Sequence, residues 1–452
     1  MDSKAVLEKL ESFASKAILV EGYNLDRIKR FLSFIGNPEK SYKIIHIGGT
    51  AGKGSTTRFI ESMLAEHGLK TGAYYSPHVV DPMERIQIEG SDISEEEFVG
   101  VFKTILSRLT DFQKTNPDFF LTYFEYLLVM AFQYFREEKI DVLALEVGLG
   151  GKLDPTNVVS SDIAVLTNVG LDHMRVLGDT VSEIARDKMM IIKPGTVCVT
   201  GVSQPDVIQI VEKRCEDVGA SMLLAGRDFE WKVITRSIKG YGFDYFFDEL
   251  ELRGLITGML GNHQVSNASL AITAVSSFLR LIDRKAIPMS VRSGLKSALP
   301  GRIEVIQKDP AIILDAAHNR SKMRALVNTV SEISPGTQIN LLLAFKRGQN
   351  FKLLLEPLAR IRDNVKSIKL TRYKVTQDLV LESEETGEYL EYLQGLFPSL
   401  EIKYDADIGR AFVESRNDLE DDETLLVTGS FYLLNALEQS GNYNHKDNSD
   451  NQ

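Results

Sequence analysis

Lys43-Ile44-Ile45-His46-Ile47-Gly48-Gly49-Thr50-Ala51-Gly52-Lys53-Gly54-Ser55-Thr56 is the stretch on which the reading of this chain turns. A short apolar run enters a glycine-rich turn. A helical pattern follows, with Phe59, Ile60, Met63 and Leu64 on one face, and stops at His67-Gly68. Glycines let main-chain N–H groups approach a polyphosphate closely, and the helix start adds partial positive charge. Lys53 can reach the outer phosphates, and a hydroxyl at Ser55 or Thr56 can touch a magnesium ion. The spacing departs from the strict Walker A pattern, because Ile47 stands where its first glycine is required, and matches a shorter relative, G-T-x-G-K-G-S.

Working outward, further short apolar runs read as buried strands: Val142–Leu145, Ile163–Leu166, Ile312–Leu314, Asn340–Ala344 and Leu425–Val427. Helical patterns lie between most of them, which predicts a largely parallel sheet covered on both faces. Phe124–Phe135 is apolar all round and predicts a buried helix. Ser266–Leu281 predicts a second, and Tyr241–Leu252 alternates like an antiparallel ribbon. The pattern restarts near Leu299-Pro300-Gly301, so domains are expected at 1–298 and 299–440, with a polar, disordered tail over 441–452.

Acids close several strands. Glu146 ends one and is followed by Val147-Gly148-Leu149-Gly150-Gly151, on the edge where α/β proteins bind ligands. It is placed to hold magnesium directly or through water, or else to cap a nearby loop. Leu171-Asp172-His173 follows the Ile163–Leu166 strand, which is expected to neighbour the Glu146 strand. Asp315 and His318 follow Ile312–Leu314, where Asp315 could equally cap a helix.

Bulk numbers narrow the class. The 452 residues carry a net charge of −11, with 43% hydrophobic and 25% charged residues. That balance argues against broad attraction to nucleic acid or anionic lipid. Cys198 and Cys215 are too few for a disulfide framework and suit a reducing compartment. Met1–Ala17 lacks the cationic start and apolar run of a signal peptide, and no apolar run is long enough to span a membrane. A cytoplasmic monomer acting on small molecules is expected.

Taken together, the segments resemble the folylpolyglutamate synthase and dihydrofolate synthase family, within the Mur ligase superfamily. The resemblance runs from about Leu25 to Leu434. It covers Leu25–Leu32 with Gly36-Asn37-Pro38, Gly49–Ser55, Ser76-Pro77-His78 with Glu84-Arg85-Ile86, and the distinctive Leu145–Asn157. It continues through Leu171-Asp172-His173, Lys188, Ile191–Gly195, Pro300-Gly301-Arg302, Asp315–Asn319 and Thr428-Gly429-Ser430. It implies an α/β fold: a P-loop ATPase domain with a mainly parallel sheet, and a smaller Rossmann-like C-terminal domain, with the active site between them.

It also implies ATP-dependent ligation of glutamate to a folate-type carboxylate through an acyl phosphate. The implied cofactors are ATP and magnesium, with a monovalent cation as a further candidate. Thr50, Gly52, Lys53, Gly54, Ser55 and Thr56 would hold phosphate, and Asn267, Arg302 and Asp315 the rest of the nucleotide. Ser76, Glu146 and His173 would serve the metal sites. Lys53 and Lys188, the latter where the family carries a carbamylated lysine, would be catalytic, with His318 assisting. Thr122, Tyr123, Phe124, Glu125, Leu153, Asp154 and Pro155 would border the pterin.

Three departures stand out. Ala51 replaces the usual loop asparagine and removes a side chain that could brace the loop. Met189-Met190 replace a small pair after the lysine. Phe345–Asn350 replaces a stretch that usually carries Lys-Asp. A Mur-type ligase for another carboxylate, or a nucleotide-binding relative without ligase activity, are the alternatives that these departures leave open.

Overall fold

The computed structural model describes residues 3–14, 24–78, 81–348, 350–376, 380–383 and 386–443. The chain forms two compact units. One comprises Met1–Lys232, Asp244–Leu255 and Ser266–Ser297; the other comprises Val233–Phe243, Ile256–Val265 and Ala298–Gln452. The division is therefore not contiguous in sequence.

The first unit is built on β1 (Lys43–Gly48), β2 (Thr71–Tyr74), β3 (Ile86–Ile88), β4 (Ser91–Asp92), β5 (Val142–Glu146), β6 (Ile163–Leu166), β7 (Val197–Thr200) and β8 (Ser221–Leu224). They lie in the order β4-β3-β2-β5-β1-β6-β7-β8. The run from β2 to β8 is parallel, and β3 and β4 add an antiparallel edge. The strand of Glu146 and the strand leading to His173 are not neighbours, contrary to the sequence reading. β1 stands between them, because the chain passes over it from β5 to β6.

Helices cover both faces: α1 (Ser3–Ala14), α2 (Asp26–Phe34), α3 (Lys53–Glu66), α4 (Glu95–Gln113), α5 (Tyr123–Glu137), α6 (Met174–Leu177), α7 (Val181–Lys188), α8 (Pro205–Val218), α9 (Asn262–Leu281) and α10 (Pro288–Gly294). One apolar cluster joins α1, α2, α4 and α5 to the sheet through Phe31, Phe102, Tyr126, Phe132, Leu143 and Leu145. A second lies farther along the same face, toward β7 and α8, with Ala164, Leu166, Ile184, Val207 and Val211. Burial on both faces explains why these strands read as continuous apolar runs.

The helix that starts at the glycine turn is fixed at its far end. His67 follows α3, and its Nδ1 bonds the Met63 carbonyl at 2.6 Å. Its Nε2 accepts the Ile287 N–H at 2.8 Å, and Ser290 donates to the Glu66 carbonyl at 2.9 Å. A β-carbon on Gly294 would lie 2.6 Å from the Met63 Cα, so the main chain of α10 rests directly on that of α3.

Where alternation predicts a ribbon, β9 (Phe229–Ser237), β10 (Gly240–Phe247) and β11 (Leu250–Thr257) form a three-stranded sheet. The second unit holds β12 (Glu304–Lys308), β13 (Ala311–Leu314), β14 (Gln338–Leu343), β15 (Val365–Leu370), the separate pair β16 (Lys374–Thr376) and β17 (Val380–Glu382), β18 (Ile402–Tyr404) and β19 (Glu423–Thr428). Its main sheet runs β12-β13-β19-β14-β15-β18, parallel apart from β12. The start of the expected disordered tail is ordered instead: Tyr443 is buried and its hydroxyl donates to the Glu304 carboxylate at 2.8 Å. The rest of that expectation, 444–452, lies outside the described residues. No described helix is long and apolar enough to cross a membrane.

Candidate active site

β1 delivers its C-terminal end into the glycine turn, with β5 on one side and β6 on the other. Ile47 pairs with Glu146 and Gly48 with Leu166. The turn needs glycine for two reasons at Gly52. Its φ of 83° is left-handed, and a β-carbon there would lie 2.3 Å from the Asn267 side-chain oxygen. Asn267 is itself buried, so the residue assigned to nucleotide by resemblance sits against the loop. Gly52 then hands over to α3, whose first N–H groups have no partner within the helix. Ser55 and Thr56 are buried in that first turn, and the Thr56 hydroxyl has no hydrogen-bond partner.

Lys188, at the end of α7, is brought to the same loop. It is 3% exposed, and its Nζ donates to the Gly49 carbonyl at 3.1 Å. Burial lowers its pKa to about 8, and the nearby charge of Lys53 pushes the same way, against the pull of Asp172, Asp187 and Asp154. A substantial neutral fraction near pH 7 to 8 follows. A β-carbon on Gly151 would lie 2.8 Å from the Lys188 Cα, so the Gly150-Gly151 turn packs directly on the lysine's main chain.

Glu146 is buried, and its Oε2 accepts the Ser76 main-chain N–H at 3.0 Å. The structure thus brings Ser76 and Glu146 together. His173 is placed apart from that pair in the sheet order, half-exposed, at φ 50° before α6, with its Nε2 4.0 Å from Asp172. Among the described residues no three His, Cys, Asp or Glu side chains gather as a metal cage. One carboxylate and one hydroxyl beside a phosphate loop still suit magnesium, which keeps several waters and takes ligands from substrate phosphates.

The residues expected to border a pterin divide by use. Thr122 and Glu125 form a capping box at the start of α5, and the fully buried Glu125 also pairs with Arg27 at 2.6 Å. The Tyr123 ring lies 5.6 Å from the Arg85 guanidinium. Phe124 and Asp154 both reach Gly148, and Leu153 is exposed. Pro155 opens a short 3-10 turn. Asp154 is buried and accepts the Leu149 N–H at 2.7 Å, the Thr156 N–H at 3.0 Å and the Thr156 hydroxyl at 2.5 Å. Burial raises its pKa despite those donors. The Thr156 hydroxyl already donates to Asp154, so the contact from His46 Nε2 at 2.9 Å is an N–H donation to it. Buried His46 is held neutral, its pKa lowered to about 3.

In the second unit, Asp315 is buried after β13 and shapes its own turn. Its oxygens accept the Ile303 N–H at 2.9 Å and the Ala317 N–H at 2.8 Å. Burial raises its pKa to about 6 against those donors and the Arg302 charge. The helix cap is Asn319, not Asp315. The Arg302 guanidinium lies 5.0 Å from the centre of the Phe431 ring. His318 bonds the Ala316 carbonyl through Nδ1, so that nitrogen carries the proton, and Nε2 accepts from Lys322 at 2.9 Å.

Sequence reading missed Thr167 and Asn168. They follow β6 with no recognisable spacing, yet they grip the loop. The Asn168 side chain accepts the Ala51 N–H at 3.0 Å and donates to the Ala51 carbonyl at 2.9 Å. The Thr167 hydroxyl donates to the same carbonyl at 2.7 Å.

The family model described as Mur ligase middle domain matches residues 47–275, and that described as Dihydrofolate synthetase, C-terminal domain, matches 302–439. The dihydrofolate synthase/folylpolyglutamate synthase of Bacillus subtilis is 32% identical, over 91% of this chain and 94% of its own. The apo form of L. casei folylpolyglutamate synthase superposes with a TM-score of 0.84 at 28% identity, covering 97% of this chain and 99% of that one. A folylpolyglutamate synthase complex with AMPPCP and folate gives 0.80 at 28% identity, with 97% and 99% covered. The chain belongs to the dihydrofolate synthase/folylpolyglutamate synthase family of ATP-dependent ligases.

Proposed function

We propose that this chain uses ATP to join glutamate to a folate-type carboxylate, with the turn from Gly49 to Ser55 as its phosphate site. The observation that carries this reading is the meeting of three features at the end of β1: an open helix start led by Lys53, the buried Lys188 on the Gly49 carbonyl, and Glu146 in register with Ile47. A carboxylate is a poor electrophile and repels a triphosphate. Lys53 and the first-turn N–H groups offset that charge and stabilise the transferring phosphoryl group. The carboxylate oxygen attacks the γ-phosphorus and ADP leaves. The neutral glutamate amine then attacks the acyl carbon, phosphate departs, and the nitrogen sheds one proton.

Glu146, with Ser76, would hold magnesium, which supplies Lewis-acid polarisation of the phosphates. Lys188, with its lowered pKa, is suited to capture carbon dioxide: the amine lone pair forms the N–C bond and one proton is lost, which leaves an anionic carbamate. Arg302 and Asp315 are assigned to the nucleotide, His318 to assistance, and Phe124, Leu153 and Asp154 to the border of the pterin.

The test is an ATP- and glutamate-dependent ligation assay that offers dihydropteroate, tetrahydrofolate and unrelated carboxylates in turn. Glutamate-dependent ADP release with a pteridine substrate supports the reading. ADP release only with an unrelated carboxylate, or none at all, overturns it.

A further inference from the structure

We infer that Asn168 is a positioning residue, which holds the first half of the phosphate loop so that the second half is preformed for a polyphosphate. This rests on the nucleotide reading of Gly49–Ser55.

The loop divides in two by where its main-chain groups go. Gly49 gives its carbonyl to Lys188 Nζ at 3.1 Å. Thr50 gives its N–H to the Asn168 main-chain carbonyl at 2.9 Å, and its hydroxyl accepts the Gly170 N–H at 3.0 Å. Ala51 has both its N–H and its carbonyl held by the one Asn168 side chain. The main-chain groups of the first half are therefore tied to Lys188 and along Thr167–Gly170. From Gly52 onward the chain turns left-handed and enters α3, where first-turn N–H groups point out of the helix start.

The side-chain chemistry is restrictive. Holding an N–H and a carbonyl of the same residue needs an acceptor and a donor on one short, planar group, which is an asparagine amide. An aspartate at 168 would set an acceptor against the Ala51 carbonyl. An alanine would release the Ala51 N–H and leave the carbonyl to the Thr167 hydroxyl alone. The same geometry accounts for Ala51 itself: position 51 enters the brace through its main chain, so its side chain can be small.

The binding-competent loop is then a population that Asn168 maintains, and losing it lowers apparent nucleotide affinity by the competent fraction. The experiment compares Asn168→Asp and Asn168→Ala with the native chain. It measures calorimetric binding of a non-hydrolysable ATP analogue with magnesium, melting temperature, and KM for ATP and for glutamate. The expected result is an affinity loss and a rise in KM for ATP of about tenfold or more. Melting temperature holds to about 3 °C, and KM for glutamate stays within about twofold. Two outcomes overturn the inference: both folded variants bind the analogue within about twofold of native, or affinity and melting temperature fall together in both. A native chain that fails to bind the analogue refutes the nucleotide reading itself, which separates the two failures.

Discussion

Glu146 and Asp315 end comparable strands in the two units, yet they are used differently. Glu146 accepts the Ser76 N–H beside the open phosphate loop. Asp315 takes two main-chain N–H groups that close its own turn, and burial raises it to about 6. A buried acid at a strand end is thus not a role in itself. The neighbouring loop decides what it can serve. The loop beside Glu146 is the one that carries Lys53, so the largest effects on turnover should fall there.

The strongest challenge to that contrast is Lys53→Ala. We expect ligase turnover to drop by about a thousandfold, as for loss of a main charge-stabilising donor, with the melting temperature held. Normal turnover in a folded variant would remove the first unit's claim. Next comes Lys188. Lys188→Ala should lose about a hundredfold in kcat, and Lys188→Glu, which restores an anion, should keep a few per cent of native activity. Full activity in both would end the case for a carbamate. Activity of the native chain should also rise with pH toward about 8, where the Lys188 amine becomes neutral.

Glu146→Gln sharpens the comparison directly: kcat should fall by about ten- to a hundredfold with stability kept, and a neutral result would put the two acids on the same footing. The smallest effect concerns stability and pH. Asp315 titrates higher folded than unfolded, about 6 against 3.8. Between those values the folded state binds more protons, so stability falls as pH rises from about 4 to 6, by about 3 kcal/mol at most. Denaturant titrations at pH 4, 5, 6 and 7 should show that slope in the native chain and in Glu146→Gln. In Asp315→Asn the slope should be weaker by that amount. An unchanged slope there would return Asp315 to an ordinary surface carboxylate.

The chain is legible where local pattern and tertiary burial agree. The apolar run at Lys43–Ile47, the glycine turn and the helix after it are one local event, and the structure forms them together. Phe124–Phe135 is equally plain, since a helix apolar all round has nowhere to go but inside. Strand order is different. β5 and β6 are consecutive in the chain, yet β1 lies between them, and no residue in either strand carries that information. The brace on the loop was hidden for a related reason. Asn168 acts on Ala51 from 117 positions away, and an asparagine after a strand reads like any turn residue. Ala51 offers no side chain to brace the loop, and Asn168 holds it through its main-chain N–H and carbonyl. Thr122 and Glu125 carry a readable S/T-x-x-E cap signal, which accounts for their reciprocal hydrogen bonds before any ligand is considered.

The anchored far end of α3 has a consequence for how ligand occupancy would be seen. A rod fixed at its base, by His67, Ser290 and the contact of Gly294 with Met63, has little freedom to swing when its tip is loaded. Slowed amide exchange on nucleotide addition should be confined to the turn nearest Lys53, while amides near Glu66 exchange at the same slow rate in the empty and loaded enzyme.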